Sequence, residues 1–589
     1  MKTYRMSALA LAVLALSANA MEALPLDGLW DFSFAEGRPL AEATFDFRAD
    51  DKMPVPCCFD LTSRYYMKRG TAQYRRSFAL RMDVAGAYLK VKGMGLRLRL
   101  WLDGREIGSS KLAFSELEFP TGPLKAGEHV LVAALDNRLF PASDEMFQPY
   151  YDYLGSGGFY HGVELSFDNR RLLVRTRDYR SGTVEIEAVN FAERDFDATL
   201  LFDGKNEVAA KFRNGRCTAK VPDFKLWSPD APDLHTVSIK PTTPPLAADD
   251  CELTARFGIR EFKCAKGRFW LNGESVFLKG VNRHDSDAAD GYATTRQSMW
   301  RDLQLIKGLG ANFVRTSHYT PSEEFLDLCD EAGVLVWEET LGWQNRADQM
   351  SNEEFVALSL EQARLMARKS INHPSVVIDA FLNEFNSRTK EGRTLANLLV
   401  DALHAEDTGR PVSYATCRPD GEIANEKTDF IAFNLYPAWH QEVGTATTPE
   451  SMARTIRRRL GEVARLFRER HGPDKPIMIG ETGCYSMYGC HDPAGAQWSE
   501  EFQAEYLGNS VGFAIEDEDI QGVAVWQFCD SRTYFRGGAD VRTRPMGQNM
   551  AGLFDIYRRE KLAAKTVRRL FRDVAPAPAE GRPDPRVRS

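Results

Sequence analysis

The chain is predicted to fold as two β-sandwich domains followed by a C-terminal (β/α)8 barrel. The first observation behind this is length: 589 residues are too many for one compact core. The second is a change of pattern near residue 263, where short alternating runs give way to strand-like runs interleaved with amphipathic helical ones. The third is a pair of apolar runs that each end in an acid, Phe381-Leu382-Asn383-Glu384 and Pro476-Ile477-Met478-Ile479-Gly480-Glu481. A carboxylate at the exit of a buried strand is costly unless it is paired or used. Two of them at βα junctions suggest two carboxylates facing one pocket, the equipment for glycoside hydrolysis.

The elements follow in chain order. Lys2 and Arg5, the apolar stretch 8–16 and Ala18-Asn19-Ala20 read as a signal peptide over 1–20, which predicts an exported protein, periplasmic or extracellular. Residues 21–170 read as all-β. Ala87 to Lys92 and Leu96 to Leu102 alternate, and Asp103-Gly104 between strand-like runs signals a hairpin. Residues 171–262 give further short alternating strands, such as Thr183 to Val189, over a length that suits an immunoglobulin-like sandwich, with Pro241 to Pro245 as a surface turn. From 263 to 574, strand-like runs at 276–284, 312–319, 334–340, 376–384, 411–416, 430–436, 476–483 and 522–528 are separated by helical stretches at 296–309, 353–371, 449–470 and 499–514. That is the pattern of a TIM barrel, whose active sites lie at the C-terminal ends of the strands. Residues 575–589 are rich in Pro, Arg and Asp and read as a disordered tail.

Composition narrows the function classes. A net charge of −8 gives no electrostatic footprint for nucleic acid, and no long apolar span follows the leader to cross a membrane. The ten cysteines are scattered without zinc-ligand spacing; Cys484 and Cys490 are spaced to pair across their loop, and the others read as buried thiols. HExxH, P-loop and dinucleotide-binding fingerprints are absent, so no cofactor and no metal site is expected from motifs. The predicted barrel mouth instead collects amides, aromatics, His and Glu. Asn282-Arg283-His284, Arg315 to Tyr319, Glu338-Glu339, Asn383-Glu384, Asn434-Leu435-Tyr436, Glu481 and Trp526-Gln527-Phe528 all fall at strand ends. Such a set suits a sugar, whose hydroxyls need donors and acceptors and whose ring face needs an aromatic plate.

These segments carry a resemblance. Leu26-Asp27-Gly28-Leu29-Trp30-Asp31-Phe32, Gly158-Phe159-Tyr160-His161-Gly162-Val163, Leu226-Trp227-Ser228-Pro229, Gly280-Val281-Asn282-Arg283-His284, Arg315 to Tyr319 and Asn372-His373-Pro374-Ser375-Val376 occur in an order that resembles glycoside hydrolase family 2, the β-galactosidase and β-glucuronidase family, over residues 24–574. The architecture is similar to its short glucuronidase-like members. The resemblance implies a jelly-roll-like first sandwich and a retaining double displacement, with Glu384 as general acid/base and Glu481 as nucleophile. It further implies substrate binding by Asn383 (at the sugar 2-hydroxyl), His318 (at a ring hydroxyl), Trp526 (by stacking), Asn549 and Asn282, with Tyr436 holding Glu481, and with Arg315 and Asn282 also read as groups that orient the carboxylates. Glu339 falls between pocket wall and salt bridge. A bound Mg²⁺ or Na⁺ occurs in some relatives, and the family is often oligomeric.

Two departures bear on substrate. Glu481-Thr482-Gly483 lacks the aromatic that the family usually carries after the nucleophile, and Asn549-Met550-Ala551 lacks the lysine with which glucuronidases pair the substrate carboxylate. Losing that cation forfeits a charge-assisted hydrogen bond of about 1.5–3 kcal/mol. The expectation is therefore an exo-acting glycosidase on a neutral sugar, first of all a β-galactoside. A β-glucuronidase or β-galacturonidase using Arg532, Arg536, Arg542 or Arg544 is the alternative, and a pentosidase or furanosidase a third. A non-catalytic glycan-binding protein is disfavoured by the presence of both glutamates. The short loop from Thr340 to Asn352 is expected to leave the mouth open to an oligosaccharide aglycone.

Overall fold

The computed structural model describes residues 23–241, 253–439, 448–534 and 544–573. The expected leader and tail lie outside these residues, as does the Pro-rich turn beyond Pro241. In the first domain a six-stranded antiparallel sheet runs, from edge to edge, Asp51–Val55, Gly28–Glu36, Gly70–Leu80, Gly127–Asp136, Arg97–Leu102, Arg105–Ser110. It faces a four-stranded sheet of Ala23–Pro25, Val163–Ser166, Val84–Val91 and Leu117–Leu124. Alternation decides which side chains enter: Ala87, Leu89 and Val91 are buried while their neighbours face outward. They meet Trp30, Phe32, Tyr74 and Phe159, whose rings pack edge-on or tilted at 4.9–6.3 Å between centroids. The Asp103-Gly104 hairpin pairs Leu102 with Arg105. Both turn residues have positive φ, +50° and +82°, the type I′ geometry that matches strand twist.

The second domain packs Arg171–Asp178, Thr183–Val189 and Arg216–Lys220 against Asn206–Phe212, Phe196–Phe202, His235–Pro241 and Leu253–Phe257. Val184, Ile186, Leu200, Phe202, Phe212, Val237 and Phe257 form its core.

Eight parallel strands then close a barrel: Leu278–Arg283, Phe313–Thr316, Leu335–Glu339, Val376–Ala380, a fifth made of Val412–Ser413 and Ala415–Thr416, Ile431–Asn434, Ile477–Thr482 and Ile520–Val525. The fifth strand is interrupted at Tyr414, and its halves pair with the neighbours on opposite sides, which completes the ring. These strands are buried on both faces, inward against each other and outward against helices, and are mainly apolar, with polar residues gathered toward their C-terminal ends. The helices Arg296–Gly308, Glu353–Ser370, Pro449–His471 and Glu500–Glu516 lie within a residue or two of the predicted stretches. Glu323–Ala332, Lys390–Ala405 and Leu562–Asp573 are helices that the pattern did not single out. Ser322, Asn352, Thr389 and Ser499 cap their helices by accepting backbone N–H bonds. A three-stranded antiparallel sheet, Phe262–Ala265, Arg268–Leu271 and Glu274–Val276, precedes the barrel, and its Phe269 packs edge-on against Phe430, which in turn meets Trp337 in the barrel interior.

The domains are joined by buried polar contacts rather than by linkers alone. Trp227 is fully buried and donates its indole N–H to the Asp330 carbonyl of the barrel (2.9 Å). Asn372 accepts from Val174 N and donates to Leu172 O, both at 2.8 Å. On the other side of the barrel, Asn345 donates to the Tyr151 hydroxyl (3.0 Å) and Gln362 to the Ala113 carbonyl (3.1 Å) of the first sandwich. Cys484 and Cys490, expected as a possible disulfide, are both free thiols, the first buried in the core and the second exposed. Among the described residues no helix is long and apolar enough to cross a membrane.

Trp227 provides a test of the interdomain seam. Trp227→Ala is expected to cost about 3–5 kcal/mol of stability, and Trp227→Phe, which loses mainly the indole hydrogen bond, about 1 kcal/mol. Guanidinium denaturation followed by tryptophan fluorescence and circular dichroism measures both.

Candidate active site

The C-terminal ends of the barrel strands converge on one guanidinium. Arg315 leaves the second strand fully buried, and its N–H groups reach four side chains. Nε and Nη2 bond both oxygens of Glu339 (2.9–3.1 Å), Nη1 bonds Glu481 Oε1 (2.7 Å) and Asn282 Oδ1 (2.8 Å), and Nη2 also bonds Asn383 Oδ1 (2.8 Å). Parallel register sets these meetings: Asn282 pairs with Arg315 across the first two strands, and Asn434 with Glu481 across a bulge between the sixth and seventh. Strand ends therefore supply groups at the same height from different parts of the chain.

Glu481 sits inside this cage. Its Oε2 accepts a 2.5 Å hydrogen bond from the Tyr436 hydroxyl. Burial pushes its carboxyl pKa up to about 8; Arg315 pulls against that shift, the Glu384 charge adds to it, and the Tyr436 hydroxyl opposes it. Glu384 leaves the fourth strand through two non-glycine residues of positive φ, Leu382 (+42°) and Glu384 itself (+54°), each costing about 1–3 kcal/mol. That turn is held by Arg418, which donates to the Glu384 carbonyl (2.6 Å). Each carboxylate oxygen of Glu384 has its own donor: Asn434 Nδ2 at 2.9 Å on Oε1 and Gln344 Nε2 at 3.0 Å on Oε2. Asn434 also donates to Asn383 Oδ1 (3.1 Å), so an unbroken chain of polar contacts joins the two glutamates through Asn383 and Arg315.

His318 is neutral here, because burial and then Arg315 drive its pKa well below the ordinary imidazole value. Its Nδ1 lies 2.7 Å from Glu339 Oε1 and so carries the hydrogen; Nε2 then accepts from Asn383 Nδ2 at 3.3 Å. Trp526 lies flat on the imidazole, 5.2 Å between centroids and 5° between planes. Burial drives the pKa of His284 down to about 3, which favours its neutral ring as well.

The first sandwich contributes to the same pocket. Asp152 accepts from Asn549 Nδ2 (3.1 Å), Thr533 Oγ1 (3.1 Å) and Arg544 Nε (2.8 Å), and is further paired with Arg544 Nη2. Arg544 stacks on the Tyr485 ring at 4.6 Å, and its charge reaches the Tyr436 hydroxyl. Neighbouring Tyr153 packs on both His284 and His318.

The predicted residues thus meet at one mouth, with corrections of detail. Asn282, expected either to bind substrate or to orient the carboxylates, is fully buried; its amide donates to the Gly480, Ala524 and Val525 carbonyls and its oxygen is taken by Arg315, which fits the orienting role and not the binding one. His318, expected at a sugar hydroxyl, has both ring nitrogens engaged by Glu339 and Asn383. Asn549, also expected at the substrate, is fully buried with its side chain spent on Asp152 and the Ala551 N–H. Glu339 is a buried ion-pair partner of Arg315. The loop after Glu339, expected to leave the mouth open, folds back into a short helix, Ala347–Met350, and puts Gln344 on Glu384. Of the four arginines offered as cations, Arg532 donates to the Ala288 carbonyl (2.6 Å), Arg544 lies at the pocket, and Arg536 and Arg542 fall outside the described residues. Asp152, Gln344 and the linking role of Asn434 were missed. Asp152 had one signal, an acid inside the aromatic run Tyr150-Tyr151-Asp152-Tyr153.

The chain also matches known proteins in family and fold. The model of "Glycosyl hydrolases family 2, TIM barrel domain" matches residues 262–575. Mouse β-glucuronidase is 29% identical over 383 residues, 64% of this chain and 56% of that protein, so the matched stretch spans little more than half of that relative. Dog β-glucuronidase is 25% identical over 608 residues, 93% of this chain and 90% of its own length. Among solved structures, a GH2 β-galacturonidase from Eisenbergiella tayi bound to galacturonate superposes with a TM-score of 0.82 at 28% identity, covering 94% of this chain and 98% of that one. A Faecalibacterium prausnitzii β-glucuronidase gives 0.82 at 24% identity over 95% and 100% of the two chains, a likeness of fold.

The cage generates a stability prediction. Arg315→Met strands Glu339 and Glu481 without a cation and is expected to cost about 3–5 kcal/mol near neutral pH. Stranded buried carboxyls hold protons more tightly folded than unfolded. Their contribution is therefore present at low pH and lost as pH rises, and the deficit should be smaller at pH 5.5 than at pH 8. Denaturation of both proteins at the two pH values measures it.

Proposed function

This chain belongs to glycosyl hydrolase family 2, and on that footing we propose that it is a retaining exo-β-glycosidase that removes a terminal uronic acid, glucuronate or galacturonate. The observation that carries the uronate is Arg544. A buried cation beside Tyr436 and Tyr485, fixed by Asp152, supplies the charge that Ala551 does not. A carboxylate seated there gains a charge-assisted bond, which favours an acidic sugar over the neutral galactoside expected from the missing lysine. The relatives named for β-glucuronidase and β-galacturonidase activity support the same choice.

The chemistry runs between the two glutamates. Glu481, ionised, attacks the anomeric carbon while Glu384 gives its proton to the departing oxygen; the sugar is then esterified to Glu481 and Glu384 is left as a carboxylate. Glu384 next takes a proton from water, whose oxygen displaces Glu481 with net retention, and both groups return to their starting states. Arg315 and Tyr436 hold the Glu481 oxygens in line. Asn383, fixed by Arg315, Asn434 and His318, offers its remaining amide hydrogen to the sugar.

Aryl β-D-glucuronide, galacturonide and galactoside at equal concentration test the substrate. Turnover of a uronide is expected, with the β-anomer as first product by proton NMR; preference for the galactoside, or an α-product, would overturn the reading. Arg544→Met should lower kcat/KM on the uronide by roughly 10–100-fold, the worth of one charge-assisted bond. Glu481→Gln should abolish turnover. Glu384→Ala should spare activated aryl substrates in the first step and accept azide with retention. Tyr436→Phe removes a donor to ionised Glu481, so the carboxyl keeps its proton to higher pH. The acid limb of the kcat/KM profile should therefore move upward, with a larger loss at pH 6 than at pH 9.

A further inference from the structure

The two donors on Glu384 are not equivalent. Asn434 is buried and belongs to the network that reaches Glu481, so Oε1 faces the glycone side. Gln344 is only partly buried, and its bond to Oε2 is made on the open side of the carboxylate. The loop that brings Gln344 there is fixed against the exit of the fourth strand. Gln344 N donates to Asn383 O (2.9 Å), Asn383 N to Gly342 O (3.2 Å), and Asn386 N to Asn345 O (2.9 Å). Asn345 is in turn tied to Tyr151 of the first sandwich (3.0 Å). Gln344 itself takes a left-handed φ of +49°, a conformation unfavourable for its residue type that aims its side chain at the acid.

We propose that Gln344 is a positioning residue for Glu384: its amide holds Oε2 toward the departing group through both halves of the reaction. The proposal rests on Glu384 being the acid/base. A glutamine suits the task because its amide N–H donates without titrating. That N–H bonds a lone pair of Oε2 in the acid as in the carboxylate, which leaves the hydrogen on Oε2 to point at the glycosidic oxygen. The proton that leaves Oε2 goes to the glycosidic oxygen, and the one that returns comes from water, so Gln344 gains and loses none.

Leaving-group dependence tests this. In Gln344→Leu, kcat/KM for a phenyl glycoside should fall roughly tenfold, part of the 10²–10⁴ that general acid catalysis contributes, while a 2,4-dinitrophenyl glycoside, which needs little protonation, should stay within about twofold. Gln344→Glu sets a second carboxylate beside the first, favours the proton on Glu384, and should carry the basic limb of the profile to higher pH. Equal losses with both leaving groups, or no change with either, would leave Gln344 a loop residue and nothing more. Glu384→Ala, run alongside, separates the two ideas. If it too lacks leaving-group dependence and azide rescue, the acid/base reading fails; if it has both and Gln344→Leu has neither, only Gln344's assignment falls. An arm independent of turnover follows the Glu384 carboxylate stretch by infrared difference against Glu384→Gln; it should shift in Gln344→Leu, and an unmoved band overturns the proposal.

Discussion

Everything at the barrel mouth is arranged around the need to keep one guanidinium dry. A cation as deeply buried as Arg315 forfeits several kcal/mol of hydration, and only a full set of acceptors offsets that loss. The chain provides them from the first, third, fourth and seventh strands, with all five N–H groups engaged. Each acceptor is thereby fixed: Glu339 by two bonds, Asn383 in the orientation that faces His318, Glu481 by one oxygen. The guanidinium is shared by two carboxylates, so the cage carries an excess of negative charge. Burial first, and the Glu384 charge after it, push Glu481 upward despite its ion pair.

The second constraint is that the pocket has two walls of different origin. Barrel strands supply the carboxylates, while Asp152 and Tyr153 arrive from the first sandwich and secure Arg544, Asn549, His284 and His318. The loop from Thr340 is braced by the same domain through Tyr150 and Tyr151. A loop of that length would be mobile on its own; pinned at Asn345 and Gln349, it becomes a rigid part of the site.

The sequence made the barrel legible because its strands are apolar on both faces and its helices are capped and amphipathic, signals that survive without any tertiary information. The same logic exposed Glu384 and Glu481, since an acid ending a buried run demands an explanation. Local pattern could not show which polar strand-end residues face a ligand and which face one another. Asn282, His318 and Asn549 each look like binding residues in one dimension, yet each is consumed by a partner far along the chain. Asp152 had only its aromatic neighbours as a local signal and lies in a sandwich remote in sequence from the barrel, and the bond from Gln344 depends on a loop conformation that a non-glycine residue rarely adopts. The absent lysine at Ala551 pointed toward a neutral sugar because only the fold brings Arg544, the cation proposed to compensate, to the mouth.

The Asp152–Arg544 contact spans 392 positions of the chain and joins the first domain made to nearly the last segment made. Synthesis proceeds from the N-terminus, and domains fold as units as they emerge. A nascent chain that has already released Glu384 and Glu481 still lacks Arg544. The proposed anion seat therefore forms only after both glutamates have been made, and products that end before Arg544 would carry that pair without the cation proposed to select a sugar for it.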